Sequence, residues 1–480
     1  MTRNRSLRRL AVALATASSL TACTVGPDYV PPKAAGAAPF IAASFRQVSS
    51  AAPAEDHWWR LYDDPVLDGL VADALVANTD IRVAVAHLER ARAQLGGARS
   101  ALYPQTTVGG STVDQQLPAF ETIPGYPNRY WSVDGDINLN YEIDLFGRVR
   151  RSLQAARGDV GTAAADLDAV RVEVIADTVR AYADATASAR QIDVAKQTVA
   201  LLDKSVRVTG DRVDAGRSER LDLIRITALR DQRQAVVAPF EAERDAALFR
   251  VATLTGRAPR DLPVQATLRT SPLELEQPIP VGDGRALIAR RPDVHEAEQR
   301  LAADTARIGV ATADLYPRIS LTGSVGSTSA SLSDAFGAGT LRWLIGPSIS
   351  WDFPNIMATR ARIAGAKADA SADLATFDGT VLTALRETET ALSAYGHEIE
   401  RHQALLAARD EARRAANVSL NRQREGTIDF LTVLDAERTL ADAEADLAAS
   451  DARIAFDQVD LFKALGGGWS RPTEIAAVQR

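Results

Sequence analysis

The sequence has one cysteine, five histidines, and few aromatic residues, 6% of its 480. A single thiol excludes a disulfide framework. The histidines (His57, His87, His295, His397 and His402) never fall at i and i+4, so no helical pair is spaced to hold a metal. There is no Walker loop, no GxSxG, no HExxH and no dinucleotide fingerprint, which leaves no motif for a cofactor or for an enzyme's chemistry. After the first 22 residues no run of about 18 apolar residues occurs, so no transmembrane helix is expected. Excess positive charge is missing as well. The formal charge is −7, and the four Arg of the N-terminal leader, with no acid beside them, leave −11 for the rest. That balance excludes nucleic acid as a partner. Scarce aromatics and abundant Ala suit long, closely packed helices more than a compact aromatic core.

The leader is present and informative. MTRNRSLRRLAVALATASSLTAC places Arg3, Arg5, Arg8 and Arg9 before an apolar stretch, Leu10 to Leu20, too short to stay in a bilayer as a helix. Residues 1–22 read as a signal peptide. Leu20-Thr21-Ala22-Cys23 resembles a bacterial lipobox, in which the cysteine becomes the lipidated first residue. The alternative is an ordinary cleavage site that contains a cysteine. Thr24 after Cys23, where Asp would signal retention, implies the outer membrane by the sorting rule of such signals. Residues 23–63 read as a lipid-anchored, extended surface segment.

The remainder is written twice, with a period of about 210 residues. ALYPQTTVGGS (101–111) answers to DLYPRISLTGS (314–324), and DAGRSERLDLI (214–224) to REGTIDFLTVL (424–434). The first repeat, 64–256, holds a helix, strands 104–114 and 130–146, and long helices 148–209 and 217–255. A Pro-rich linker, 257–283, follows. The second repeat, 284–467, holds a helix, strands 317–327 and 340–353, and long helices 357–424 and 428–465. The tail 468–480 is expected to fray. Val149, Leu153, Ala156, Val160, Ala163, Leu167, Val170 and Val174 alternate four and three residues apart, and Val381 to Leu406 does the same. A sustained 3.5-residue period marks coiled-coil seams. Gly216 and Gly426 reverse each long helix into an antiparallel hairpin.

In YWSVDGDINLNYEIDLF (130–146) every odd position from Trp131 to Leu145 is apolar or Gly, and every even one from Ser132 to Asp144 is polar. In a strand that gives one greasy and one acidic face. In 340–353, Trp343, Ile345, Ile349, Trp351 and Phe353 share a face, with Leu344 an exception on the other. Hairpins packed on a soluble core would explain such strands. Three features weigh against it: the export signal, the interface-favouring aromatics Trp131, Trp343 and Trp351, and the rule that strands in lipid must close. Four strands cannot close a barrel, and about eight is the practical minimum. Three copies supply twelve, so a homotrimer is expected, with greasy face to outer-membrane lipid and acidic face to a water-filled lumen.

The chain resembles the TolC/OprM-type outer-membrane efflux channels in their NodT-like lipoprotein branch. The carrying motifs are CTVGPDYVPP (23–32), LIARRPDVHEAEQRLAADTARIGVATADLYPRISLTGS (287–324), TIDFLTVLDAER (427–438) and LFKALGGGW (461–469). The resemblance spans essentially the whole mature chain. It implies a fold that is mainly α with a membrane β-barrel: a trimeric twelve-strand barrel on a coiled-coil helical tunnel. It also implies a tripartite assembly with a periplasmic adaptor and an inner-membrane pump of the resistance-nodulation-division type. In the family, side chains near the second helix turn shut the periplasmic end of the tunnel. The match places Leu431 on the constricting apolar position, Asp435 on the carboxylate ring and Arg438 on the nearby basic position. Three Leu431 side chains would dry the pore, and three Asp435 carboxylates would favour cations. Thr432 stands where some members carry a second carboxylate, which leaves a two-ring gate open. Leu221 and Arg225 are the first-repeat equivalents of Leu431 and Asp435. An Arg225–Asp435 tether holding the gate shut is one reading, and a solvated Arg225 is the other.

The function these readings imply is a passive exit duct for drugs or other small toxic compounds, with a periplasmic gate. Two alternatives remain: an outer-membrane duct for protein secretion, and a non-conducting, lipid-anchored periplasmic coiled-coil scaffold.

Overall fold

A computed structural model describes residues 24–33, 40–41, 48–49, 56–122, 124–125, 127–275, 277–354 and 356–467. The signal peptide, Cys23 and the tail 468–480 lie outside the described residues. The chain divides into two compact units: 1–33 with 87–164 and 296–377, and 34–86 with 165–295 and 378–480.

Each repeat opens on two helices in tandem. In the first, α1 (Pro65–Ala77) and α2 (Thr79–Ser100) meet at Asn78. Asp64 caps α1, accepting from the amides of Val66 and Leu67 at 2.8 and 3.2 Å, with Pro65 in the first turn where a missing N–H costs nothing. Strands β1 (Gln105–Gln116) and β2 (Arg129–Ile143) follow, then α3 (Arg148–Asp214), α4 (Arg220–Ala235) and α5 (Val237–Leu254). The second repeat runs α6 (Gly284–Arg290), α7 (Pro292–Ala313), β3 (Arg318–Ser329), β4 (Leu341–Ser350), α8 (Ile356–Arg424) and α9 (Phe430–Ala464). At 67 and 69 residues, α3 and α8 each extend about 100 Å at 1.5 Å per residue.

Four differences from the sequence reading have local causes. The helix expected over 217–255 is two helices, because Pro239 lacks an N–H and its ring excludes the carbonyl of Ala235. The strand expected to reach residue 146 stops at Ile143, because the Asp144 carboxylate turns to accept the amides of Val149 and Arg150, at 3.1 and 2.9 Å, at the start of α3. The strand expected to reach residue 353 stops at Ser350, where its partner β3 begins with Arg318. The segment expected as an extended surface wrap contains a 3₁₀ turn, Trp58–Tyr62, with Trp58, Trp59 and Tyr62 buried.

The unit containing 165–295 has the main core. Trp58 stacks on Phe462 at 4.6 Å, and Leu67, Ile175, Tyr182 and Leu461 are fully buried around them. Burying such a side chain contributes about 1.5–3 kcal/mol each. The Pro-rich linker joins this core through Ala266, Leu273, Ile279 and Val281, and Ile279–Pro280 pairs in parallel with Val48–Ser49. Three polar contacts are built into this core: Tyr182 donates to Asp64 at 3.1 Å, Arg269 to the same oxygen at 2.9 Å, and Tyr62 to Gln458 at 3.1 Å.

Helix ends in this unit repeat the duplication. At the first joint Asn78 donates its amide to Leu254 O, 3.1 Å, so the end of α5 meets the start of α2. At the second, Arg291 donates to Ala464 O, 3.0 Å, and the end of α9 meets the start of α7. Each satisfies a carbonyl that the helix end leaves unpaired.

In the other unit the strands form one antiparallel sheet, β1-β2-β3-β4. Residues 24–29 dock beside it: Val25 N donates to Phe146 O at 3.2 Å, and Arg151 reaches Val25 O and the Asp28 carboxylate, 3.2 and 2.8 Å.

Candidate functional site

The sheet sorts its side chains by row. One face carries Val108–Ile137–Val325–Trp343, Tyr141–Leu321–Pro347 and Ile143–Ile319–Ile349. The other carries Ser111–Asp134–Thr328, Gly109–Asp136–Gly326–Arg342 and Thr107–Asn138–Ser324–Leu344. The apolar face is left open: Trp131, Ile137, Trp343 and Ile349 are exposed, Trp343 at 71%. Both outer strands, β1 and β4, have one edge without a partner strand among the described residues. An exposed greasy sheet with two open edges is a liability for a chain alone in water.

Aromatics mark the two ends of the apolar face. Trp131 and Trp343 sit toward the strand-connecting loops. Trp351 lies just past β4, stacks on Phe353 at 4.8 Å and donates its indole N–H to Leu315 O at 3.2 Å. Phe146 and Tyr316 stack at 4.5 Å at the same end. The eight steps from Trp343 to Trp351 span about 26 Å along a strand, close to the roughly 25 Å apolar band of membrane barrels.

The gate candidates lie in the other unit, at the tips of the hairpins. Two matched turns reverse the chain. Arg217 N bonds Arg212 O at 2.7 Å around Gly216, and Thr427 N bonds Arg422 O at 3.0 Å around Gly426. Both glycines have positive φ, +69° and +75°, which side chains disfavour. Asp429 caps α9, accepting from the Thr432 amide at 2.8 Å and its hydroxyl at 2.6 Å, and these bonds hold its pKa below the usual carboxylate range. Thr432 thus serves the cap.

Beyond the caps, Leu202, Ile226 and Leu229 form a small core with Leu223, Phe430 and Leu434 against it. Leu431, Asp435 and Arg438, four and three residues apart, share a face of α9 turned away from that core and exposed. Leu221 and Arg225 do the same on α4. Leu431 and Leu221 stay 49% and 46% exposed, so both apolar side chains are uncovered in the single chain. Arg225 and Asp435 form no ion pair with each other among the described residues. The ion pair joining α4 to α9 lies about two turns further along both helices: Arg233 to Asp442 at 2.7 Å, with Arg438 at 4.0 Å from the same carboxylate.

Sequence reasoning missed that pair, and it missed Glu437. One Glu437 oxygen accepts from Ser205 of α3 at 2.6 Å, and the other is buried without a partner. Burial raises its pKa, partly offset by Ser205. It lines a cavity of about 290 Å³ whose walls include Leu202, Val208, Leu420, Phe430 and Val433. Among the described residues no helix is long and apolar enough to cross a membrane, and no three His, Cys, Asp or Glu gather as a metal site.

A family model described as outer membrane efflux protein matches the chain twice, over residues 70–257 and 285–467. The toluene efflux pump outer membrane protein TtgC of Pseudomonas putida is 30% identical, over 99% of this chain and 98% of its own. Nodulation protein T of Rhizobium leguminosarum bv. viciae is 28% identical over 94% of this chain and 92% of its own. Among solved structures, the outer-membrane channel OprN is 37% identical with a TM-score of 0.87, covering 93% of this chain and all of that one.

Proposed function

The chain belongs to the outer membrane efflux protein family, and from that premise we propose that three copies close their sheets into one barrel that serves as a gated exit duct for small toxic compounds. It is an outer-membrane component of an efflux system, as its relatives are, and it works with an adaptor and an inner-membrane pump. The observation that carries the barrel is the sorting of cross-strand rows: an apolar face framed by aromatics, a polar face behind it, and two edges that only further strands can satisfy. Twelve strands meet the closure requirement that four cannot. Cys23 carries the lipid anchor in this reading, and Trp131, Trp343 and Trp351 sit at the membrane interfaces.

At the hairpin tips, Leu431 and Leu221 narrow and dry the opening, and three Asp435 carboxylates give it a cation preference. Arg438 is held back by Asp442. Opening spreads the hairpin tips apart. In mild detergent the protein is expected to run at the mass of three chains and to conduct ions in planar bilayers. Asp435→Ala is expected to raise conductance about several-fold and to weaken cation preference. A protein that is monomeric and silent in bilayers would be the coiled-coil scaffold instead, and the duct reading would fall.

A further inference from the structure

We propose that Arg342 sets the charge selectivity of the barrel lumen, by neutralising a carboxylate pair, Asp134 and Asp136, on the polar face of the sheet. This rests on the barrel reading above. Arg342 stands on β4, two strands from Asp136 on β2, and the residue between them in the row is Gly326. Two strand spacings are about 9.6 Å, a distance only a long side chain crosses, and only over an intervening position that is empty. Gly326 leaves that position empty. A Cβ added there would collide with Gly135 O and lie 2.8 Å from Asp136 Cβ. On the other flank Gly109 does the same, since its added Cβ would lie 2.9 Å from Asp136 Oδ1. The sheet thus holds a slot, glycine on either side, in which the Asp136 carboxylate lies.

Arg342 closes the slot. Its Nη2 donates to Asp136 Oδ2 at 3.2 Å and lies 3.6 Å from Asp134 Oδ1, and its Nε donates to Thr328 Oγ1 at 2.8 Å. Neutral groups also donate to these carboxylates: Thr328 to Asp134 Oδ1 and Ser132 to Asp134 Oδ2, both at 2.6 Å, and Asn138 to Asp136 Oδ1 at 2.7 Å. Arg342 is therefore the one cation paired to these acids among the described residues. The next polar-face cation, Arg318, is committed to Asp314 at 2.7 Å. With Arg342 present this level of the lumen carries one net negative charge per chain. Without it the level carries two, and solutes leaving the duct pass a ring of six unbalanced carboxylates. Arg342 is a specificity-determining residue in this sense: it halves the charge by which the exit end sorts solutes.

The test reads local potential by thiol chemistry, which does not depend on the state of the gate. Ser324→Cys places a thiol on the polar face one row from Arg342, and Val325→Cys places one on the apolar face beside it. Reaction rates of the assembled protein are measured with two membrane-impermeant methanethiosulfonates, one bearing trimethylammonium and one sulfonate, with the chain lacking the introduced cysteine as blank. Adding Arg342→Ala to Ser324→Cys is expected to raise the cationic-to-anionic rate ratio about threefold at moderate salt. Arg342→Lys should hold the ratio near the parent's, and Asp136→Asn should lower it. A ratio unmoved by Arg342→Ala, or moved equally by Arg342→Lys, overturns the proposal. Should Arg342→Ala not assemble, Asp136→Asn decides, and an unmoved ratio there overturns it too. Failure of the barrel reading shows separately. Val325→Cys would then react with both reagents as readily as Ser324→Cys, and that result takes this proposal with it.

Discussion

Glu437 shows how a single side chain at the hairpin tips carries a cost. Its second oxygen is buried with no donor, and desolvation lifts its pKa above that of the unfolded chain. The sign follows. The stability this group contributes is fully present below the unfolded value, about 4.3, and is lost as pH rises through the folded one. At neutral pH the ionised group therefore destabilises the fold, and Glu437→Gln should raise the unfolding temperature at about pH 7.5, an effect of about 1 kcal/mol. That advantage should fade as pH falls toward about 4, which thermal scans at several pH values would show. No pattern in the sequence announces this group, because its hydrogen-bond partner, Ser205, stands on a helix 232 positions away. Leu431, Asp435 and Arg438 are different. Their four-and-three spacing puts them on one helical face whatever the surroundings, and the structure leaves that face uncovered. What spacing could not supply was the partner. The cross-helix ion pair is Arg233–Asp442, a choice made by the relative height of two helices that are distant in sequence.

Elements were legible where a chemical period or a stop residue wrote them. The long helices follow from unbroken seams without proline, and Asp64-Pro65 opens α1. The Gly216 and Gly426 reversals were also readable. At both positions an added Cβ meets nothing within 4 Å, so the penalty of substitution is purely conformational. Gly426→Ala should destabilise the hairpin tip by about 1 kcal/mol or slightly more, with Gly426→Asn costing less. Faster amide hydrogen exchange in the last turn of α8 and the first of α9 would check it. The slot around Asp136 was not legible. Gly109 and Gly326 lie 217 residues apart, and only the register places both beside one carboxylate. Trp58–Tyr62 escaped notice for another reason: five residues are too few to show a helical period.

For the whole molecule, the sequence carried the duplication, the alternation of strand faces and the need for more strands than one chain has. It did not show that the two copies differ mechanically. Pro239 breaks the returning arm of the first repeat into α4 and α5, whereas α9, its counterpart, runs 35 residues without interruption. In the trimer proposed above, jointed arms would alternate with stiff ones. A torque on that proposed trimer would then bend three arms instead of six, and the stiff arms, which bear Leu431 and Asp435, would swing as levers.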